Sequence, residues 1–127
     1  LVVPLRALSE LDGLKSSEDE TRAAKARSAI RQLDANSSRI RHEKDHTALL
    51  PAEWDARESD HAILSTALFF RLNAVLFVSN DINLRNKAKS LGLNTQDSKS
   101  YASSRLVPAA ASEAHVQIKN KQKNKRR

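Results

Sequence analysis

A chain of 127 residues fits one domain with a modest core, and with no cysteine it has neither a disulfide framework nor a thiolate metal site. Its formal net charge of +7 sits at one end: residues 119–127 hold six of the 22 Lys and Arg and no acid, which leaves 16 basic against 15 acidic residues elsewhere. Apolar runs such as 74–78 fall far short of a membrane span of about 20 residues, and no charged-then-apolar leader opens the chain; the sequence therefore predicts no membrane and no disulfide-linked partner.

In chain order, residues 1–3 read as the end of a β-strand, and Pro4 stands where a helix can begin, because its missing N–H costs nothing there. Leu5, Leu8, Leu11 and Leu14 recur every three residues and give a short helix one apolar stripe, with Gly13 weakening its end. Ser17 followed by Glu20 has the spacing of a capping box and predicts a helix over 18–33, with Ala23, Ala26, Ile30 and Leu33 on one face. Residues 36–57 are polar, irregular and broken by Pro51, and read as a long loop with room for one helical turn. Ser59 and Asp60 open a strong helix whose Ile63, Leu64, Ala67, Leu68 and Leu72 are expected to face a core. The continuous apolar run 75–78 predicts a strand buried on both faces. A basic helix over 82–91 follows, ended by Gly92.

Beyond Asp97 the pattern fades into serine, alanine and lysine. The sequence thus divides into a domain over 1–107 and a disordered basic tail over 108–127. Helices alternating with strands define an α/β domain with a mostly parallel sheet. Ligands of such sheets sit outside the carboxyl ends of the strands.

Three acids lie where that rule would gather them. Glu10 is on the helix after the first strand, Asp60 is in the opening turn of its helix, and Asp81 follows the apolar strand. Converging at one end of the sheet, they would suit a hard divalent cation, which takes oxygen ligands and few carboxylates. Such a site activates water and neutralises charge on a phosphodiester. Each acid also has a plain reading as a helix cap or part of a solvated face.

The residues carry a family resemblance. Val2-Val3-Pro4 through Glu10-Leu11-Asp12-Gly13-Leu14-Lys15 resembles the "IP…ELDGLK" segment of eukaryotic PIN domains. Asp60-His61-Ala62-Ile63-Leu64 is similar to that family's "D-x-x-I-L" helix start. Ser79-Asn80-Asp81-Ile82-Asn83-Leu84-Arg85-Asn86-Lys87-Ala88 is similar to its "[ST]-N-D-x-N-L-x-x-K-A" segment. The closest subgroup by these blocks, which span about residues 1–97, is the Swt-type nuclear messenger-RNA surveillance nucleases, followed by the nonsense-mediated-decay PIN nucleases.

The resemblance implies a Rossmann-like PIN fold and a metal-dependent endoribonuclease that hydrolyses single-stranded RNA in RNA quality control. It implies a nuclear location, with the cytoplasm as alternative, and protein partners in an RNA-processing complex. By it, Glu10, Asp60 and Asp81 are the catalytic acids and bind Mg²⁺ or Mn²⁺, and Ser79 is a hydroxyl beside the metal. Asn80 matches a position with no assigned role. Asp12 falls in the motif, but two residues along a helix turn about 200°, which faces it away from Glu10. Arg85, Lys87 and Lys89 lie near Asp81 and suit RNA phosphates, though a solvated helix face explains them equally. The alternative function is a catalytically degenerate PIN module that binds RNA or protein.

Other signals have blander readings. His42-Glu43-Lys44-Asp45-His46 spells the zinc-protease pattern H-E-x-x-H, which works only on a helix and would need a third ligand at Glu53 or Glu58. Charged Lys44 and Asp45 and the nearby Pro51 argue against it. Trp54 is expected to anchor a loop more than to stack on a base. Phe69, Phe70 and Phe77 are expected in the core, and His61 and His115 in solvent. The tail at 119–127 admits a nuclear-localisation cluster, an RNA clamp or a solvated end.

The family's first metal-binding Asp belongs to a strand upstream of the equivalent of Leu1, and that strand is central in the family's sheet. The expectation is a chain that lacks its first strand. As written it should cleave RNA weakly or not at all with Mg²⁺. Extending it upstream by one strand ending in Asp should restore cleavage and raise the melting temperature together. Robust cleavage by the 127 residues alone, unchanged by the extension, would sink this expectation.

Overall fold

A computed structural model of the chain describes residues 1–105, so the predicted tail and His115 lie outside the described residues. Helices alternate with short parallel strands, as an α/β reading requires, in two compact units, residues 1–66 and the described residues from 67 onward. No helix among the described residues is long and apolar enough to cross a membrane.

The first unit opens with strand β1 (Val2–Pro4), helix α1 (Leu5–Leu14) and helix α2 (Glu20–Ala35). Pro4 serves two elements at once. Its extended backbone, φ −60° and ψ 142°, closes the strand and stands as the cap residue of α1. The second helix starts later than the capping-box spacing predicts. Asp19 caps it, accepting from the Arg22 N–H at 3.2 Å, while the Ser17 hydroxyl accepts from the Asp19 N–H at 3.1 Å. A carboxylate meets the helix dipole better than a hydroxyl does, and Glu20 turns instead to Arg27 at 2.6 Å. Ala23 and Ala26 are buried, and their small side chains let α1 and α2 pack closely.

The segment read as a long loop contains a strand. β2 (Arg41–Glu43) runs parallel to β1, with Val2 opposite Arg41 and Pro4 opposite Glu43, and is flanked by 3-10 turns at Ser37–Arg39 and Thr47–Leu49. The pairing is extended by the Arg41 N–H, which donates to the Leu1 carbonyl at 2.8 Å, and by His42 Nδ1, 2.9 Å from the Val3 carbonyl. Arg-His-Glu has no apolar alternation, so neither β-propensity nor burial marked it. An ion pair between Arg6 of α1 and Asp45, at 2.6 Å, holds the chain just beyond β2.

Helix α3 (Ser59–Phe69) buries Ala62, Leu64 and Leu68, together with two hydroxyls. The Ser65 hydroxyl accepts from the His46 N–H at 2.9 Å and donates to the Ala62 carbonyl at 2.6 Å. The Thr66 hydroxyl donates to the Lys44 carbonyl at 3.1 Å. These bonds fasten residues 44–46 to the helix. Of the predicted core face, Leu64 and Leu68 are buried and Ile63 and Ala67 half-buried, whereas Leu72 is 95% exposed. The helix ends at Phe69, so the heptad-like spacing to Leu72 never becomes a face. Phe69 is also exposed and meets Phe70 edge-on at 5.0 Å.

The second unit is a parallel β-α-β arrangement. Strand β3 (Leu76–Val78) pairs with β4 (Asn94–Gln96), and helix α4 (Ile82–Ser90) connects them; α5 (Ser98–Arg105) follows. β3 is not buried on both faces: Leu76 and Phe77 are half-buried and Val78 is 38% exposed. Among the described residues its only strand partner is β4. Leu84 and Ala88 of α4 and Leu93 just before β4 make the core. Gly92, at φ +85°, turns the chain from α4 into β4 as its position predicted.

Ser65→Ala removes the hydroxyl that accepts from the half-buried His46 N–H. It should lower unfolding stability by about 1–3 kcal/mol in urea titrations, and more than Thr66→Val, which takes a donor from the Lys44 carbonyl rather than an acceptor from an N–H. Equal or no loss in both would show that the clip contributes nothing.

Candidate functional site

In the second unit, the carboxyl ends of β3 and β4 lie side by side, and the polar residues that follow them are knitted together. The Ser79 N–H donates to the Gln96 carbonyl at 3.0 Å and prolongs the ladder by one bond. The Ser79 hydroxyl accepts from the Asp81 N–H at 3.2 Å. Asp81 is the N-cap of α4, its Oδ1 accepting from the Leu84 N–H at 3.1 Å. Arg85 Nη1 donates to the Ser79 carbonyl at 2.6 Å, so this guanidinium braces the turn that carries Asp81. Lys87 is half-buried on the same helix.

Asp97 is the acid that sequence reading missed. It follows β4 directly, in the place that Asp81 occupies near β3. Its Oδ1 accepts from the Ser100 N–H at 2.7 Å. That backbone bond, aided by the Ser100 side chain and by the positive charges of Arg85 and Lys99, holds its carboxyl below the usual aspartate range. The signal that could have found it is local: a turn glycine five residues upstream, then Asp at the head of a serine-rich helical stretch, where Asp favours the N-cap.

In the first unit, the structure joins Glu10 to the start of α3. The Ser59 hydroxyl donates to Glu10 Oε2, and Asp60 is the next residue, half-buried in the first turn of the helix. A helix N-terminus favours negative charge there. Trp54 packs on His61 with ring centroids 4.7 Å apart and tilted 47°, which makes it a loop anchor. His61 is not solvated: it is 7% exposed, with Nδ1 2.7 Å from the Asp55 carbonyl. The H-E-x-x-H letters have no helix under them. His42 and Glu43 are on β2, and His46 Nε2 is 2.7 Å from Glu43 Oε2. With Arg41 on its other side, that contact pulls the Glu43 carboxyl below its ordinary value. A zinc pair on one helical face is therefore ruled out by geometry.

Glu10 and Asp60 thus belong to the first unit, and Ser79, Asp81, Arg85 and Lys87 to the second. Among the described residues no group of three or more His, Cys, Asp or Glu is placed to hold a metal ion. A hard divalent cation commonly takes only one or two carboxylates, completing its shell with water and substrate phosphate. The donor chemistry at the ends of β3 and β4, two aspartates with a serine hydroxyl and an Asn amide on the loop that carries Asp81, fits that requirement.

Parallel strands with helical crossovers and acids beyond their carboxyl ends define a Rossmann-like α/β domain with a polar strand-end site. The PIN domain profile matches residues 1–99, and the chain belongs to the PIN domain family, whose members are generally nucleases. No curated protein gives a significant match.

The depressed carboxyl of Asp97 has a testable sign. Its contribution to stability is fully present above its ordinary 3.8 and is lost as pH falls through its lower folded value. Carbon-detected NMR titration should place the Asp97 midpoint below 3.8, and Arg85→Ala should move it upward. A midpoint at or above 3.8 would contradict the bonding described.

Proposed function

We propose that this PIN domain is a metal-dependent endoribonuclease that hydrolyses single-stranded RNA. The observation that carries the reading is the strand-end arrangement of Asp81 and Asp97, each fixed by a backbone N–H at a helix start. Asp81 and Asp97 of the second unit are carboxylates that would hold Mg²⁺ or Mn²⁺; Glu10 and Asp60 are assigned to the site by the resemblance of their motif blocks alone. Bound there, the cation would supply an activated water and charge neutralisation on the scissile phosphate.

The remaining work falls to the protein's own groups. Ser59 orients Glu10. The Ser79 hydroxyl fixes the backbone of Asp81 and presents a polar group beside it. Lys87 offers a phosphate contact, whereas Arg85, with one amino group committed to the Ser79 carbonyl, contributes positive charge from a braced position. The three motif blocks, by their resemblance to Swt-type and nonsense-mediated-decay nucleases, support a role in messenger-RNA surveillance in the nucleus, with protein partners of an RNA-processing complex.

The test uses the chain extended upstream by one Asp-ending strand and a single-stranded RNA oligonucleotide with Mn²⁺. Glu10→Gln, Asp60→Asn and Asp81→Asn should each reduce cleavage by about 100-fold or more while leaving the far-ultraviolet spectrum unchanged. Cleavage that survives Asp81→Asn would place the chemistry elsewhere. RNA binding without cleavage in the parent protein would assign it to the degenerate, binding-only class.

A further inference from the structure

Asn80 links the two loops that carry the aspartates and belongs to neither cap. Its Oδ1 accepts from the Ser98 N–H at 2.8 Å, a bond that spans 18 residues. One end of that bond is on the loop after β3, immediately before Asp81; the other is on the first residue of α5, immediately after Asp97. Ser98 opens its helix, so its N–H has no partner within the helix. Together with the Ser79 N–H on the Gln96 carbonyl, the bond closes a small ring of chain around the ends of both strands.

The residue type matters. An aspartate at position 80 could accept the same bond, but it would set a third negative charge beside two others. A serine would be too short to span the loops. Asparagine supplies a neutral acceptor of the needed length. Resting on the functional reading above, we infer that Asn80 is a positioning residue that fixes the Asp81 loop against the Asp97 loop, so that the two carboxylates address one divalent cation.

The bond can be cut from either end. Asn80→Ala removes the acceptor. Ser98→Pro removes the donor at a first helical position, where proline is tolerated. Mn²⁺ binding is read, without any RNA, from paramagnetic broadening of the Asp81 and Asp97 amide resonances, and folding from the remainder of the spectrum. Each variant should weaken Mn²⁺ binding roughly tenfold, the usual scale for residues that orient metal ligands. The double variant should be no weaker than either single one, because both cut the same bond. Asn80→Asp should keep the Ser98 amide protected from hydrogen exchange, as in the parent chain, whereas Asn80→Ala should expose it.

A folded Asn80→Ala protein with undiminished Mn²⁺ binding overturns the positioning role and leaves the nuclease reading intact. Additive losses in the double variant overturn it as well, since the two residues would then act separately. A parent chain whose Asp81 and Asp97 amides are untouched by Mn²⁺ overturns the metal reading itself, and this inference with it.

Discussion

Parallel pairing of very short strands is the constraint from which the rest follows. A parallel pair cannot be joined by a tight hairpin, so the chain must climb back through a crossover, here usually a helix. That requirement accounts for the alternation of elements and brings the carboxyl ends of partner strands to the same edge. Three-residue ladders such as β1–β2 and β3–β4 contribute few hydrogen bonds of their own. Each unit therefore supplements its ladder with side chains that bond to backbone. His42, Ser65 and Thr66 do so in the first unit, and Asn80 and Arg85 in the second.

The same physics makes the strand ends chemically useful. A helix start leaves N–H groups unsatisfied and carries partial positive charge, and a carboxylate answers both. Asp19, Asp81 and Asp97 all accept from such N–H groups. Asp19 stands between two helices and caps the second of them. At Asp81 and Asp97 the cap also fixes one oxygen of each carboxylate at a sheet edge, which is how a structural convenience becomes a candidate ligand set. A carboxylate serving both ends is shared between helix and cation, and its cap bond sets the direction in which the other oxygen points.

Sequence legibility followed side-chain patterning. The helix that the leucine spacing of α1 predicts, the alanine face of α2, the start of α3 and the Gly92 stop of α4 rest on periodic or conformational signals, and the structure bears them out, although Leu5 and Leu14 at the two ends of the α1 stripe are exposed. The strands Arg41–Glu43 and Asn94–Gln96 carry no such signal, because they are polar and their pairing is set by backbone geometry. Without β4 nothing in the sequence marks Asp97 as a strand-end acid. Ser65 and Thr66 were equally silent, since a buried hydroxyl is recognisable only once its partner backbone is placed. His61 was misjudged for a related reason: its partners, Trp54 and the Asp55 carbonyl, come from the preceding turn. Family motifs single out Glu10, Asp60 and Asp81 as candidate ligands, where periodicity alone leaves caps and ligands indistinguishable.

The pairing of Trp54 with His61 has a further, optical consequence. The chain contains one tryptophan, so all of its indole emission comes from a ring seated on the residue next to Asp60. An indole in ring contact with an imidazole changes its brightness and colour when that contact shifts. The protein thus carries a built-in lamp at the mouth of α3, where loosening of the preceding loop or occupancy near Asp60 can be followed without attaching a dye.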